Sequence, residues 1–574
     1  MSPPAAAVIS VRSTLALLDS QFTTFAEGVS DGKYAFWLGS GISLGRVPGL
    51  RGVVEKVIEF VRARINLIDA NCKFRKAMQE ILDLAIASPS ERAEIDFSQH
   101  AATWPPLSAI VERLVANYAK LLGIPVDDEE FDYLVWEAVD VRGTYGSPQL
   151  EPDVEHICIA ALSLEGVVSE IASANWDVLI EKAVNQLTDG NPALSMSVVV
   201  RPPDLQQGRN VTRLIKFHGC AEKAAADPGT YRPWLVASTD QVTGWCGNPR
   251  NSALMTALIG ILNSKPTLML GLSAQDANIQ HIFNSAAAGL SWQLDNPPPS
   301  YVFSEDALGI DQKALLRNVY REQISPANIA DVLDGSRVQA YAKPLLTALY
   351  IDVLCRKLQA LISLAPSSLS QAERQPLKDG IRELRDNLAG SATPDLGFVD
   401  SLLVRVGRAR KLLRTGHIEN PRLKYQAVSM QSVPALQANP DLQASGLEEA
   451  AVALGLLGYG VHRGDWTISG EGMDVDSGVL SVTGVAPGAT KTKLFFAGNS
   501  ESATRLRINS HVVEEQAPVV AQSKSLAPAM QRSPRGPTGR TLTPGVTEIC
   551  VSDLLTEATT FTTLYNRFRS EIGI

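Results

Sequence analysis

The chain has 574 residues, so two or three domains are expected, because domains usually run to ~100–200 residues. Its 45% hydrophobic and 20% charged residues are typical of a soluble globular protein. The net charge of -9 argues against a surface built as a whole for DNA or for anionic membranes, although it leaves room for a local basic patch.

Short apolar strands alternate with helices through the first half of the chain. Helical spacing occurs at 15–25, 53–65, 73–86, 107–122, 178–186 and 250–262. Strand-like runs occur at 34–38, 167–172, 195–200, 213–217, 267–270 and 300–303. This alternation indicates a parallel sheet covered on both faces, so we predict a Rossmann-like α/β domain over residues 1–310.

The second half of the chain changes character twice. Helical spacing at 344–364, 371–388, 395–413 and 447–457 predicts a helical region over residues 311–457. Residues 458–574 predict a small β-containing unit, with strands at 479–482, 493–496 and 505–508. Residues 522–544 are rich in Ser, Pro, Arg and Gly and predict a flexible linker, and 552–568 predicts a final helix.

The cysteines and the N-terminus bear on the compartment. The six cysteines are too far apart to form a zinc ribbon or a disulfide framework, which favours a reducing environment. Residues 1–7 lack the charged and apolar regions of a signal peptide. No run approaches the ~18 apolar residues that a membrane span requires. We therefore expect a cytoplasmic protein without membrane association.

A glycine-rich turn follows the first predicted strand. Gly39-Ser40-Gly41-Ile42-Ser43 comes directly after the apolar run 34–38. Glycines let the backbone approach a ligand closely, and amides at the start of a helix can hold a diphosphate. The spacing differs from the Gly-x-Gly-x-x-Gly of common dinucleotide folds, so a plain strand–loop connection is an equal alternative.

Polar motifs follow three further strands. Asn175 and Asp177 come after the strand at 167–172, and His218 ends the strand at 213–217. The fourth motif follows the strand at 267–270 and contains Gly271, Ser273, Asp276 and Asn278. Each motif alone could be a helix cap or a turn. Because ligands bind at the carboxyl ends of parallel strands, four such motifs in order favour one shared site.

Together these motifs resemble the sirtuin family. Gly39-Ser40-Gly41-Ile42-Ser43 is similar to the family's Gly-Ala-Gly-Ile-Ser, and Val47-Pro48-Gly49-Leu50-Arg51 is similar to its Ile-Pro-Asp-Phe-Arg. Ala174-Asn175-Trp176-Asp177 resembles Gln-Asn-Ile-Asp, His218-Gly219 resembles the catalytic His-Gly, and Gly271-Leu272-Ser273 resembles the later Gly-Thr-Ser. The resemblance covers residues 30–305 and implies an NAD-binding domain.

Two departures from the family pattern bear on the activity. Gly49 replaces an acidic residue, and only Cys220 and Cys246 follow the His-Gly motif where a deacylase has four zinc cysteines. Because the zinc module supports the acyl-peptide groove in deacylases, its loss disfavours deacylation. The pattern instead resembles the sirtuin-like effectors of bacterial antiviral systems, which cleave NAD to nicotinamide and ADP-ribose when triggered.

The resemblance implies a role for each motif residue, with NAD as the substrate and with no metal or zinc. Asn175 would hold the nicotinamide-side ribose or the attacking water, and Asp177 would orient the nicotinamide end or support Asn175. His218 would act as general base, since an ordinary histidine pKa of ~6.5 suits that role. The remaining residues would contact the diphosphate, a phosphate or the adenosine ribose: Gly39, Ser40, Gly41, Ser43, Arg51, Gly271, Ser273, Asp276 and Asn278.

Control of such an enzyme is expected, because a constitutive NAD hydrolase would harm its own cell. The C-terminal half could form a homo-oligomer or bind an activator. By family analogy the activator is a HerA-type ring ATPase, a phage component or a short Argonaute. The Argonaute is less favoured, because an Argonaute-linked chain would carry a β-rich region where residues 311–457 are predicted to be helical. An ADP-ribosyltransferase, a deacylase and a non-enzymatic NAD or ADP-ribose sensor are alternatives. Direct nucleic-acid contact is disfavoured but open, through a basic cluster of Arg405, Arg408, Arg410, Lys411 and Arg414.

Overall fold

A computed structural model of the chain describes residues 5–207, 212–289, 301–417, 425–439, 442–469, 480–485, 491–508, 518–522 and 547–574. Within these ranges, no helix is long and apolar enough to cross a membrane.

Seven parallel strands form the main sheet, in the order β3-β4-β2-β1-β5-β6-β7. They are β1 (Ala35–Leu38), β2 (Glu170–Ser173), β3 (Ser197–Val199), β4 (Arg213–Lys216), β5 (Thr267–Leu270), β6 (Tyr301–Ser304) and β7 (Arg337–Val338). The central strand β1 pairs with β2 on one side and with β5 on the other. This Rossmann-like order confirms the predicted α/β fold and creates a topological switch point at the carboxyl ends of β1 and β5.

The residues of β1 show why these short runs form a buried sheet. All four are buried, as expected for a parallel strand covered on both faces. Phe36 and Leu38 face one apolar core, whereas Ala35 and Trp37 face another. The alternation places the two sets of side chains on opposite faces of the sheet.

Helices cover both faces of the main sheet. The predicted helix at 15–25 is two helices, and the one at 107–122 is also divided. The α-helices up to β7 are Val11–Leu18, Thr23–Ser30, Leu50–Arg62, Lys73–Leu84, Pro89–Ala93, Leu107–Val115, Tyr118–Leu122, Val141–Thr144, Val154–Leu164, Leu179–Thr188, Ala221–Ala226, Pro228–Tyr231, Thr239–Gly244, Ser252–Ser264, Ala277–Gly289, Ile310–Tyr320 and Ile329–Gly335.

The helices between Leu50 and Thr144 form a layer with its own apolar core, which contains Val54, Met78 and Ile110 among others. This layer lies between β1 and β2 in the chain, so the glycine turn after β1 leads directly into it.

Helices also dominate the region after β7, as predicted. They are Ala342–Leu364, Gln371–Gly390, Leu396–Thr415, Leu442–Ser445 and Leu447–Arg463. The basic cluster on Leu396–Thr415 is not a uniform solvated face, because Arg408 is buried and Arg410 donates a hydrogen bond to the Ala427 carbonyl.

A second sheet of five strands follows, in the order β12-β11-β10-β9-β8. Its strands are β8 (Trp466–Ser469), β9 (Leu480–Gly484), β10 (Lys491–Ala497), β11 (Pro518–Gln522) and β12 (Thr547–Cys550). The small β-containing unit is therefore present. The helices Val551–Glu557 and Phe561–Glu571 replace the single final helix that we predicted. Apart from Gln522 in β11, the predicted linker lies outside the described residues.

The predicted strand at 505–508 is wrong, because those residues end the helix Ser500–Ile508. The Asn499 side chain accepts a hydrogen bond from the Ser502 amide at 2.9 Å. This cap satisfies a backbone donor at the start of the helix, which the alternating Arg-Leu-Arg-Ile pattern does not reveal.

The main sheet and the helical region share one apolar core. Its members include Leu15 in the first helix, Phe36 in β1, Leu349 in the helix Ala342–Leu364 and Val399 in the helix Leu396–Thr415. Strand β7 also comes from residues beyond 310. The domain boundaries that we placed at 310 and 457 remain predictions.

Candidate functional site

The glycine turns after β1 and β5 pack backbone against backbone at the switch point. The Gly39 amide donates to the Leu270 carbonyl, and the Gly41 amide donates to the Gly271 carbonyl, both at 3.0 Å. A Cβ on Gly41 would lie 2.6 Å from the Gly271 Cα. Gly271 has φ +60, a left-handed conformation that favours glycine. Close packing of the two loops therefore requires glycine here even before any ligand is considered.

The resemblance implies that backbone amides of this turn bind a diphosphate, but two of those amides already donate to carbonyls of the protein. The amides of Gly39 and Gly41 are used within the protein, and residues Ser40–Ser43 form a short 3-10 helix. Ser40 is exposed, whereas Ser43 is buried. A diphosphate cradle in this turn remains a prediction.

Ser43 connects two residues that lie far away in the sequence. Its hydroxyl donates to Asp177 Oδ2 at 2.9 Å and lies 3.2 Å from His156 Nε2. The backbone amide of Asp153 donates to His156 Nδ1, so the proton of the neutral ring is on Nε2. The hydrogen bonds therefore run from His156 to Ser43 to Asp177.

This arrangement differs from a hydrolytic Ser-His-Asp triad. In such a triad the aspartate orients the histidine, and the histidine accepts the proton of the serine. Here Asp177 contacts Ser43 directly, and burial lowers the pKa of His156 to about 4. Ser43 and His156 thus hold the Asp177 carboxylate in place, and His156 was not anticipated by the sequence analysis.

Asn175 lies in the loop after β2, beside the glycine turn. Its side-chain Nδ2 donates to the Gly39 carbonyl at 3.1 Å, and its backbone amide donates to the Ser173 hydroxyl. These bonds fix the amide group and leave Oδ1 as its unused acceptor among the described residues. Asn175 is 9% exposed, so it is nearly buried but still reached by solvent.

Asp177 has a structural role as well as a possible functional one. Its Oδ1 accepts a hydrogen bond from the Leu179 amide, which caps the helix Leu179–Thr188. The cap that the sequence offered as an alternative is therefore formed, while Oδ2 is bound to Ser43.

Lys216, at the end of β4, holds the loop that follows β2 and contains Asp177. Its ammonium group donates to the Asp177 carbonyl and pairs with Glu181 Oε1 at 3.0 Å. Burial opposes this charge, but the neighbouring Cys220 and Glu181 raise the pKa of Lys216 above its usual range. A lysine that follows the two apolar residues of a buried strand requires such partners, and this is the signal that could have marked it.

His218 follows β4 and faces the motif after β5. Its Nε2 lies 3.2 Å from Asn278 Nδ2 and 3.5 Å from Asp276 Oδ2. Because an amide nitrogen only donates, Nε2 acts as the acceptor and the ring proton is on Nδ1. Cys246 Sγ lies 3.5 Å from Asn278 Oδ1, which supports this amide orientation.

The surroundings keep His218 neutral. The residue is 6% exposed, and burial lowers its pKa while Asp276 opposes the shift. A neutral imidazole next to a carboxylate can accept a proton and then be stabilised as the cation.

The motif after β5 combines a helix cap with contacts to His218. Asp276 Oδ1 accepts the Asn278 amide at 2.7 Å at the start of the helix Ala277–Gly289. Ser273 is exposed, and Ala274 has φ +59, which is a strained conformation for a residue with a Cβ.

Arg51 makes its contacts on the helical layer. Its guanidinium donates to Glu55 at 3.1 Å and to the Ser108 hydroxyl at 3.1 Å, and the side chain is half exposed. A phosphate contact by Arg51 remains a prediction. The two cysteines after the His-Gly motif have separate partners, since Cys220 lies beside Lys216 and Cys246 beside Asn278.

The site therefore combines side chains from the loops after β1, β2, β4 and β5. A family model described as a SIR2-like domain matches residues 169–325. This range contains Asn175, Asp177, His218 and the motif after β5, whereas the glycine turn precedes it. No curated protein matches the chain. Residues 169–325 are sirtuin-like, which supports an NAD-related function at the level of the family.

Proposed function

We propose that the chain is an NAD glycohydrolase that cleaves NAD to nicotinamide and ADP-ribose. The observation that carries this proposal is the convergence of Asn175 and His218 on one sheet edge at the topological switch point. Both side chains are nearly buried and held by hydrogen bonds. Their positions fit a reaction that requires fixed polar groups next to a bound dinucleotide.

The reaction breaks the bond between nicotinamide and the ribose and adds water to the sugar, with release of one proton. Positive charge develops on the ribose as nicotinamide leaves. The unused Oδ1 of Asn175 can hold a ribose hydroxyl or the attacking water. The basic nitrogen of neutral His218 is Nε2, which the Asn278 amide contacts at 3.2 Å, so water or a ribose hydroxyl must displace Asn278 from Nε2 before it can give up its proton there. Asp276, whose Oδ2 lies 3.5 Å from Nε2, then stabilises the imidazolium.

Asp177 acts through its position in this proposal. One of its carboxylate oxygens caps a helix and the other accepts from Ser43, so the group is held rigidly beside Asn175. A negative charge that is already fixed in this way costs no reorganisation as positive charge develops on the ribose.

We further propose that cleavage is controlled, serves anti-phage defence in the cytoplasm and depends on homo-oligomers or an activating partner such as a HerA-type ATPase. The support is the resemblance to NAD-cleaving effectors, together with a C-terminal half that none of the catalytic motifs uses.

The test is nicotinamide release from NAD by the purified full-length chain, with Asn175→Ala and His218→Ala. Loss of a positioned base normally costs about 10²–10⁴-fold in rate, and we expect a loss in that range for His218→Ala. His462→Ala is the matched control, because that histidine is exposed and pairs with Glu383 on the helical region. Equal rates for all variants would refute the assignment.

The assay also separates hydrolysis from transfer and from sensing. ADP-ribose attached to an added protein acceptor, in place of free ADP-ribose, would identify a transferase. NAD binding without nicotinamide release under every activating condition would identify a sensor.

A further inference from the structure

A cavity of about 600 Å³ lies where the main sheet domain meets the helical region. We name it the junction cavity, and its lining includes Leu164, Thr188, Asn191, Arg410, Arg414 and Tyr425. Sites for small organic ligands usually have volumes of about 300–1,000 Å³, so the cavity is large enough for one.

Positive charge dominates the junction cavity. Arg410 and Arg414 lie one turn apart on the helix Leu396–Thr415, and both line the cavity. Like charges at this spacing destabilise a helix unless an anion lies between them. Arg410 uses its Nε for the Ala427 carbonyl, and its terminal nitrogens make no hydrogen bond with the described residues.

Burial lowers the pKa of Arg410 and the charge of Glu165 opposes this shift, but the hydrogen bonds of Glu165 go to other groups. Glu165 is fully buried, and its Oε2 is paired with Lys357 at 2.6 Å. Its Oε1 accepts from the Tyr425 hydroxyl and from the Val428 amide. None of the described residues that line the cavity is acidic. Within the described lining of the cavity, the two guanidinium groups therefore have no acidic partner.

Two helices extend from the candidate active site to the junction cavity. The helix Val154–Leu164 carries His156 near its first turn and Leu164 at its end. The helix Leu179–Thr188 begins just after Asp177 and ends at Thr188. Both ends lie in the cavity lining, about 15 Å along the helix axes from the Ser43 hydrogen bonds.

We propose that the junction cavity binds a phosphate-bearing ligand of nucleotide size, with Arg410 and Arg414 holding the phosphate. Two guanidinium groups match a phosphate dianion, which accepts paired hydrogen bonds from each. Apolar residues such as Leu164 and Leu194 and polar residues such as Asn191 line the space for the organic part. The ligand acts as a regulator because it can shift the two helices whose other ends hold His156 and Asp177. Only this regulatory role rests on the proposed function.

The test is titration of the full-length chain with AMP, ADP-ribose and inorganic phosphate by calorimetry. Arg414→Glu is the main variant, because Arg414 is exposed and its replacement does not disturb the core. We expect about 10- to 100-fold weaker binding of the nucleotide, since charge-assisted hydrogen bonds are lost. Arg405→Glu is the matched control, because Arg405 is exposed on the same helix and outside the junction cavity. Arg410→Gln should weaken binding as Arg414→Glu does.

Asn175→Ala separates the junction cavity from the active site. Binding that persists in Asn175→Ala and is lost in Arg414→Glu supports the proposal. The proposal would be overturned if binding were lost in Asn175→Ala and kept in Arg414→Glu. It would also be overturned if inorganic phosphate bound more tightly than the nucleotides, or if no ligand bound at millimolar concentration. A change of at least threefold in NAD cleavage on nucleotide addition, absent in Arg414→Glu, would establish regulation. Because calorimetry does not require turnover, an inactive chain would still decide whether the site exists.

Discussion

Replacement of Lys357 by methionine should strongly destabilise the chain without touching the candidate active site. The Lys357 ammonium donates to Glu165 Oε2 at 2.6 Å, to the Glu165 carbonyl at 2.5 Å and to the Ser429 carbonyl at 2.5 Å. Both side chains of the ion pair are 0% exposed. Every donor of Lys357 is therefore used, and no water can replace it.

The size of the effect follows from what remains after the substitution. Glu165 would keep the Tyr425 hydroxyl and the Val428 amide but would lose the ammonium group that is hydrogen-bonded to its Oε2. Removal of one member of a buried ion pair typically costs about 3–5 kcal/mol, and we expect a loss of about 4 kcal/mol for Lys357→Met.

The assay is urea unfolding of a double-mutant cycle with Glu165→Gln, followed by circular dichroism. The glutamine oxygen can still accept from Tyr425 and Val428, so the double variant should lose less than the sum of the single variants, by about 1.5–3 kcal/mol. Lys76→Met is the control, because Lys76 and Asp127 form an exposed pair at 2.8 Å. Its urea midpoint should not change. A loss below about 1 kcal/mol for Lys357→Met, or strict additivity in the cycle, would refute the reasoning.

Three further changes test the candidate site. His156→Gln should make stability less dependent on pH. Burial lowers the pKa of His156 to about 4, so as pH falls below ~6.5 the unfolded chain takes up this proton first. In urea titrations between pH ~6.5 and pH ~4 the wild type should therefore lose up to about 3 kcal/mol more than the variant. Asp276→Asn removes the charge that raises the pKa of His218, so the acidic limb of kcat/KM for NAD cleavage should move to lower pH. Gly41→Ala would place a Cβ 2.6 Å from the Gly271 Cα, which should cost about 1–3 kcal/mol in urea unfolding and lower NAD cleavage.

Each of these has a matched comparison. His100→Gln changes an exposed histidine and should retain the wild-type pH dependence. Asp240→Asn changes a carboxylate outside the His218 contacts and should leave the acidic limb in place. Gly260→Ala adds a methyl group to a helical glycine with nothing within 4 Å, so it should not destabilise the chain. Equal behaviour of a variant and its control would contradict the corresponding contact.

The sequence predicted six strands of the main sheet because each is a short run with an apolar centre, and helices separate several of them. It did not predict β7, which has only two residues, Arg337 and Val338. It did not predict β11 and β12, because their pairing joins residues 518–522 to 547–550 across a long stretch of chain. The strand expected at 505–508 failed because alternation of Arg with Leu and Ile also suits one face of a helix, and the Asn499 cap decides between them.

The candidate site was predictable where its residues follow strands. Asn175, His218 and Asp276 lie in loops at the carboxyl edge of the sheet, so their order along the chain was enough to group them. His156 was missed because it lies on a helix and contacts Ser43 across 113 residues of sequence. Lys216 was quoted within its motif, but its bond to the Asp177 carbonyl depends on the pairing of β2 with β4.

The apolar core that joins Leu15, Phe36 and Leu349 has a consequence for how such a chain can evolve and be engineered. The N-terminal half that carries the candidate site depends on the helical region, since removal of the helix Ala342–Leu364 would expose apolar residues of the shared core to water. A truncation at residue 310 should yield aggregated protein, and a graft of this half onto a foreign partner should fail in the same way. Additional segments could be acquired more easily on the outside of the helical region, because its helix Ala342–Leu364 shares an apolar core with the main sheet.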